Sequence, residues 1–190
     1  MTGRVTFVGA GPGAADLLTL RAVVVLGAAD VVVWARSLVD PAVLEHCRPD
    51  AELVPSDERT HEDVVAIYQR AAQDGLHVAR VHSGDPTVYG ALHEQIAAAR
   101  ELGLQVEIVP GVSSMGAAAA ALGQELTVPD VSQTLILTRR PTRTSMPPNE
   151  ELRALAAHGT TMVLFLSVRR PRELQADLLD RVVHVGLAPG

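Results

Sequence analysis

Aromatic residues are nearly missing from this sequence: two Tyr, two Phe and one Trp make up 3% of 190 residues. Surfaces that bind nucleic acid by stacking bases on rings need more than that. The net charge of -6 also gives phosphates no overall attraction. Cysteine is rarer still, with Cys47 alone, so neither an internal disulfide nor a multi-cysteine metal centre can form. A single thiol in a surface helical segment reads as structural, and redox chemistry at sulfur is not expected. Long hydrophobic runs are lacking too. None reaches the roughly 18 residues of a membrane span, and the start, MTGRVTFVGAG, enters a strand with no basic segment or cleavage site before it. The expectation is a cytoplasmic protein with no nucleic-acid and no membrane partner.

What is there suffices for a core: 47% of the residues are hydrophobic and 20% charged, the balance of a globular chain of one or two domains. Strand-like and helical runs alternate. The pattern predicts strands at Arg4 to Val8, Val31 to Trp34, Ala51 to Val54, His77 to Arg80 and Gln105 to Val109. Helices are predicted at Asp16 to Leu26, Pro41 to His46, His61 to Gln73 and Ala91 to Leu102. That order implies an α/β fold with a mainly parallel sheet and helices on both faces. The Ala-rich stretch PGVSSMGAAAAALGQELTVPD, bounded by prolines, marks a domain junction, giving domains 1–112 and 113–190. The second domain begins an α/β unit of its own, with strands at 133–138, 160–167 and 182–187 and helices near 150–157 and 171–179.

Three loops follow strands of the first domain, and each contains glycine. VGAGPGA (8 to 14) has the place of a dinucleotide-binding loop between strand and helix, but its G-x-G-P-G spacing and the N–H lost at Pro12 depart from that fingerprint. The acidic residue such a site needs after the second strand is absent, since that strand ends in Ala35-Arg36. A tight turn with no ligand is the plain alternative. SGDP (83 to 86) ends another strand. There Asp85 is either a ligand contact or an N-cap for the next helix, and the two are compatible. VPGVSS (109 to 114) repeats the arrangement with hydroxyls at Ser113 and Ser114, for which capping alone is a sufficient explanation. TRRPTR (138 to 143) is either a solvated basic loop or a carboxylate-binding one, because guanidinium groups hold carboxylates bidentately. The histidines form no metal-ligand pattern: His61, Glu62 and Asp63 are consecutive and point in different directions on a helix, and His82 and His93 share no zinc spacing.

VGAGPG, RVHSGDPTVYG, VPGVSSMGAAAAA and QTLILTR, in that order, resemble the four motifs of the tetrapyrrole methylases, S-adenosylmethionine-dependent enzymes of sirohaem and cobalamin synthesis. The resemblance runs from residue 4 to about 180. SLV (37 to 39), His61, His82 and Tyr89, LTVPDVSQTLILTR and the Arg143-Thr144-x-x-Pro147 stretch are most similar to the branch that methylates precorrin-4 at C11. The resemblance implies a two-domain α/β fold, a homodimer, and a bent S-adenosylmethionine held without metal. By matched position the cofactor contacts are Pro12, Ser83, Gly84, Asp85, Val88, Ser113, Ser114 and Leu166. The substrate side takes Arg139, Arg143, Tyr89 and His61. Where the uroporphyrinogen branch carries an Asp considered a base, this chain has Ala35, so no catalytic residue is assigned. The acidic residue usual after GPG is Ala14, and a common Lys is Arg21.

The resemblance implies methyl transfer to an electron-rich ring carbon that is itself the nucleophile, so no activated Ser, Cys or Lys is required. Other readings remain: a uroporphyrinogen-III or different precorrin methylase, a nicotinamide-dependent oxidoreductase, or a non-catalytic homologue. Members of the family continue for several tens of residues beyond LQADLLD, with a strand that contributes to the adenosyl pocket. The expectation is therefore a second domain that is short at its C-terminus.

Overall fold

The computed structural model describes residues 2–141, 145–167 and 171–178. Five strands, β1 (Arg4–Gly9), β2 (Val31–Trp34), β3 (Glu52–Pro55), β4 (His77–His82) and β5 (Gln105–Val109), form one sheet in the order β3-β2-β4-β1-β5. Every pairing in it is parallel. Strands buried on both sides read as near-continuous apolar runs, as VVVW of β2 does.

Three helices connect these strands: α1 (Leu20–Ala28), α2 (His61–Asp74) and α3 (Leu92–Glu101). On one face α1 packs Ala22, Val25 and Leu26 against Val8, Val32, Ala79 and Val81. On the other, α2 packs Val64, Ile67, Tyr68 and Ala71 against Val5, Phe7, Val33 and Val78, with Ala99 of α3 alongside. The helical spacing of the α2 residues is what commits them to one face. Its ends are equally explicit. Thr60 and Asp63 form a reciprocal capping box, and Gly75 closes the helix in the left-handed region.

The helix expected from Asp16 is two pieces, a 3-10 turn at Ala15–Leu17 and then α1, whose N-cap Thr19 accepts from the Ala22 N–H. Leucines at 17, 18 and 20 carry the apolar pattern through the break and hide it. The Pro41–His46 segment is also 3-10, and Cys47 just after it is half-buried against the core, which pushes its thiol pKa up and fits the structural reading. Strand β4 runs two residues past the expected end at Arg80.

The contacts divide the chain into compact units, Met1–Ala117 and Ala118–Gly190. The division falls within α4 (Ser114–Leu122). In the second unit β6 (Leu135–Arg139) pairs in parallel with β7 (Thr161–Phe165). Leu152 and Ala156 of α5 (Leu152–Ala156) pack with Leu174 and Leu178 of α6 (Pro171–Leu178). The strand expected at 182–187 lies outside the described residues. No described helix is long and apolar enough to cross a membrane.

Candidate functional site

In a parallel sheet all strand C-termini share one edge, and a crevice opens there where adjacent strands send their connections to opposite faces. β1 and β4 are such a pair: α1 follows β1 on one face and α3 follows β4 on the other. Their loops are tied together by backbone. The Ala10 N–H donates to the His82 carbonyl at 2.7 Å, the Gly11 N–H to Gly84 O at 3.2 Å, and the Gly84 N–H to Gly11 O at 2.7 Å. The β5 loop joins them because three small residues allow it. A Cβ at Gly9 would lie 2.5 Å from Gly111 Cα and 2.7 Å from Gly84 O, so no other residue fits without moving a backbone.

Asp85 fastens the same junction. One carboxylate oxygen accepts from the N–H of Thr87 at 2.8 Å and from its hydroxyl, and the other accepts from the Gly111 N–H at 3.2 Å. Asp85 is thus a turn former and a tie to β5. It does not cap the following helix, whose N-cap is Ala91. Ser113, the residue before α4, accepts from the Met115 N–H at 3.3 Å, as a cap does.

Seven of the eight cofactor positions expected from the sequence lie in this first unit. Gly84 is buried at φ +64, and a Cβ built on it would meet only Ser114 N, at 3.8 Å. The SGDP loop and the start of α4 therefore face each other across space that a side chain would enter. Ser83 and Ser114 are exposed, while Pro12, Asp85, Val88 and Ser113 are half-buried. The backbone beyond is held in an uncommon conformation, with Tyr89 at φ +57 and Ala91 at φ +49. The eighth position, Leu166, belongs to the second unit. It follows β7 at φ +56 with 65% of its surface exposed. Left-handed non-glycine residues cost of order 1–3 kcal/mol each and cluster at functional sites. Among the described residues these are Tyr89, Ala91, Asp130 and Leu166, and two of them, Tyr89 and Leu166, are residues singled out from the sequence.

On the substrate side, Arg139 reaches the carbonyls of Arg140 and Ser145 at 3.3 and 3.4 Å, and Arg140 pairs with Glu173 at 2.6 Å. Arg143 lies outside the described residues. His61 opens α2 and stands on the wall of a cavity of about 130 Å³ with Arg59 and Thr60.

The floor of that cavity was missed by sequence reading. Arg80 of β4 points to the α2 side of the sheet, where its Nε donates to Gln95 Oε1 at 3.1 Å and its Nη1 to Ser56 Oγ at 3.2 Å and to the Val33 carbonyl at 3.4 Å. All three acceptors are neutral, and burial pushes the guanidinium pKa down. A charged residue inside the strand run HVARVH was the available signal. Two residues on, burial first and the Arg80 charge second hold the His82 imidazole neutral, with its pKa lowered to about 3. Its Nε2 has no hydrogen-bond partner among the described residues. No group of three or more metal-ligating side chains occurs among the described residues.

Residues 4–188 match the family model for Tetrapyrrole (Corrin/Porphyrin) Methylases. A precorrin-4 C(11)-methyltransferase of Pseudomonas aeruginosa is 47% identical over 175 residues, which cover 92% of this chain and 70% of that protein. The crystal structure of a cobalt precorrin-4 methyltransferase superposes with a TM-score of 0.89 at 40% identity, covering 94% of this chain and 74% of the other. A uroporphyrin-III C-methyltransferase from Thermus thermophilus, solved in complex with S-adenosylhomocysteine, gives 0.75 at 32% identity, covering 96% and 74%.

Proposed function

The chain belongs to the tetrapyrrole (corrin/porphyrin) methylases, and from that premise we propose that it transfers a methyl group from S-adenosylmethionine to C11 of a precorrin-4-type tetrapyrrole in cobalamin biosynthesis. The observation that carries the reading is the identity of 47% with a precorrin-4 C(11)-methyltransferase over nearly the whole chain. It is a methyltransferase by the same comparisons.

The residues of the first unit fit the methyl donor. Beside Gly84 there is space that a Cβ would fill, with the Ser114 N–H the one group within 4 Å of it among the described residues. Pro12, Ser83, Gly84, Asp85, Val88, Ser113 and Ser114 would hold the donor. When bound, S-adenosylmethionine supplies an electrophilic methyl on a sulfonium. The chain's own residues position the partners and exclude water. Asp85 keeps the SGDP loop in register with the β5 loop, and Arg139 and Arg143 would take substrate carboxylates. No protein nucleophile is needed, because the ring carbon that accepts the methyl is itself electron-rich.

A nicotinamide oxidoreductase finds no support at the end of β2, where Ala35 and Arg36 stand in place of an acid. The family likeness also supports a homodimer, which light scattering tests. The experiment that decides the function is incorporation of labelled methyl from S-adenosylmethionine into a precorrin-4-type substrate. Transfer to C11 is expected; transfer to another ring position would move the chain to a different branch, and none at all would overturn the reading.

A further inference from the structure

Arg80 is a half-buried charge in the first unit whose side-chain hydrogen bonds all go to neutral partners. Arg48, by contrast, pairs with Asp30 and Asp50, and Arg70 with Glu52. Arg80 has no carboxylate partner among the described residues. Its surroundings fix the fork and leave the charge alone. Gln95 is anchored through Nε2 to the Ala91 carbonyl at 3.2 Å, and its Oε1 accepts from both the Tyr68 hydroxyl at 3.3 Å and Arg80 Nε. Nε and Nη1 are thereby used, while no described residue accepts from Nη2.

Two carboxylates of the segment that lines the cavity are committed elsewhere. Asp57 takes the N–H groups of Arg36 and Ser37 at 2.8 and 2.9 Å, and Asp63 takes that of Thr60 at 2.8 Å. A half-buried ion without a counter-ion is unfavourable for the fold. The cavity above it holds two more basic residues, Arg59 and His61, with Ser56, Thr60 and Gln95 as neutral donors and acceptors, and no carboxylate. A volume of about 130 Å³ is too small for a macrocycle. It admits a carboxylate on a short aliphatic arm.

We infer that this cavity is a subsite for one acid side chain of a polycarboxylate substrate, with the Arg80 guanidinium as the anchoring charge and Arg59 at the rim. The inference rests on the proposed function for the nature of the ligand and adds the residue that fixes its register. The subsite lies entirely within the first unit, on the opposite side of the SGDP segment's strand from α1. A carboxylate seated there completes the ion pair that the fold leaves open, so binding compensates the folding penalty and a wrongly substituted ring forfeits it.

The probe is an octacarboxylic porphyrin, titrated against wild type, Arg80→Met, Arg80→Lys and Arg59→Ala, with its octamethyl ester as control. Quenching of Trp34, the sole tryptophan, reads binding. The acid should bind wild type and the ester should not. Arg80→Met should lose at least tenfold in affinity, Arg80→Lys less, and Arg59→Ala about threefold. S-adenosylhomocysteine affinity, measured by calorimetry, should stay within twofold throughout.

A structural brace and a ligand anchor differ in one further respect. Removing an uncompensated, half-buried charge should leave the melting temperature of Arg80→Met equal to or above that of wild type. Unchanged porphyrin affinity in Arg80→Met, or a lower melting temperature with parallel loss of both ligands, overturns the inference. If Arg80→Met does not fold, the exposed Arg59→Ala and the charge-keeping Arg80→Lys decide it, and wild-type affinity in both overturns it. The two readings fail separately. Porphyrin binding through Arg80 without methyl transfer by wild type defeats the proposed function alone, while methyl transfer with unchanged KM in Arg80→Met defeats the subsite alone.

Discussion

The two sheets of this chain are built by opposite means. In the first unit β2 is buried along its whole length and β1 along all but Arg4, between two apolar clusters that draw on α1 on one side and on α2 and α3 on the other. In the second, every residue of β7 is half-buried, and the apolar cluster consists of four buried side chains from α5 and α6 with Met162 and Leu164 beside them. The first sheet can therefore hold backbone at fixed positions, and its loops supply peptide groups and small residues. The second carries its candidate contacts on side chains, Arg139 and Leu166, at strand ends. Precision comes from the first and reach from the second.

The sharpest way to break this contrast is to remove core from each side. Phe7→Ala, at a fully buried position, should cost about 3–5 kcal/mol and abolish cooperative unfolding of the first unit in urea. Leu178→Ala should cost about 2 kcal/mol, near the low end for such truncations, and leave the first transition in place. Equal losses in the two would mean that the units fold as one.

Acid comes next. The His82 imidazole is held neutral with a pKa of about 3 against an ordinary value of 6.5. The unfolded chain binds this proton first, so stability falls as pH drops below about 6.5 and keeps falling towards pH 3. By pH 4.5 the loss should be on the order of 2 kcal/mol. His77, lowered by burial first and by Arg4 second, adds in the same direction. His82→Gln should flatten the slope of urea midpoint against pH, and an unchanged slope would place the acid sensitivity elsewhere.

Asp85→Asn should have a smaller effect, about 1–2 kcal/mol. An amide retains the bond to Thr87, but if that oxygen is kept its NH2 faces the Gly111 N–H, donor against donor. Hydrogen exchange at Gly111 should rise. The smallest effect is expected in the second unit, where Arg140→Ala breaks an ion pair with a half-exposed Glu173 and should change stability by less than about 1 kcal/mol.

What was legible in the sequence was whatever is local. The α/β alternation, the extent of α2 and the glycine-bearing loops at strand ends all follow from neighbours within a few residues. Gly111 shows the limit. Its sequence context, VPGVSS, marks a turn, but its necessity comes from Gly9 and Gly84, which lie far away along the chain and touch it through space. Gly84 is constrained in the same way by its backbone, since φ +64 strains any side chain there whatever the ligand. Loss of binding in Gly84→Val would thus report on fold and ligand together. Arg80 was passed over because a strand-end arginine ordinarily faces water. Only the continuation of β4 to His82 places it inside.

The strand order carries a consequence for how the protein is made. β1 is synthesised before the other four strands of its sheet, and both of its neighbours, β4 and β5, come after β2 and β3. At roughly 5–20 residues per second, an apolar strand waits about 4–15 seconds after leaving the ribosome before β4 is complete, and longer for β5. During that interval β2 and β3 can pair with each other, but β1 has no partner in the native sheet. Long-range parallel pairing is slow for the same reason that it is late, because loop closure must precede contact. The segment RVTFVG is thus the stretch of nascent chain most in need of a chaperone's cover, and slowing translation just before residue 77 would lengthen its exposure.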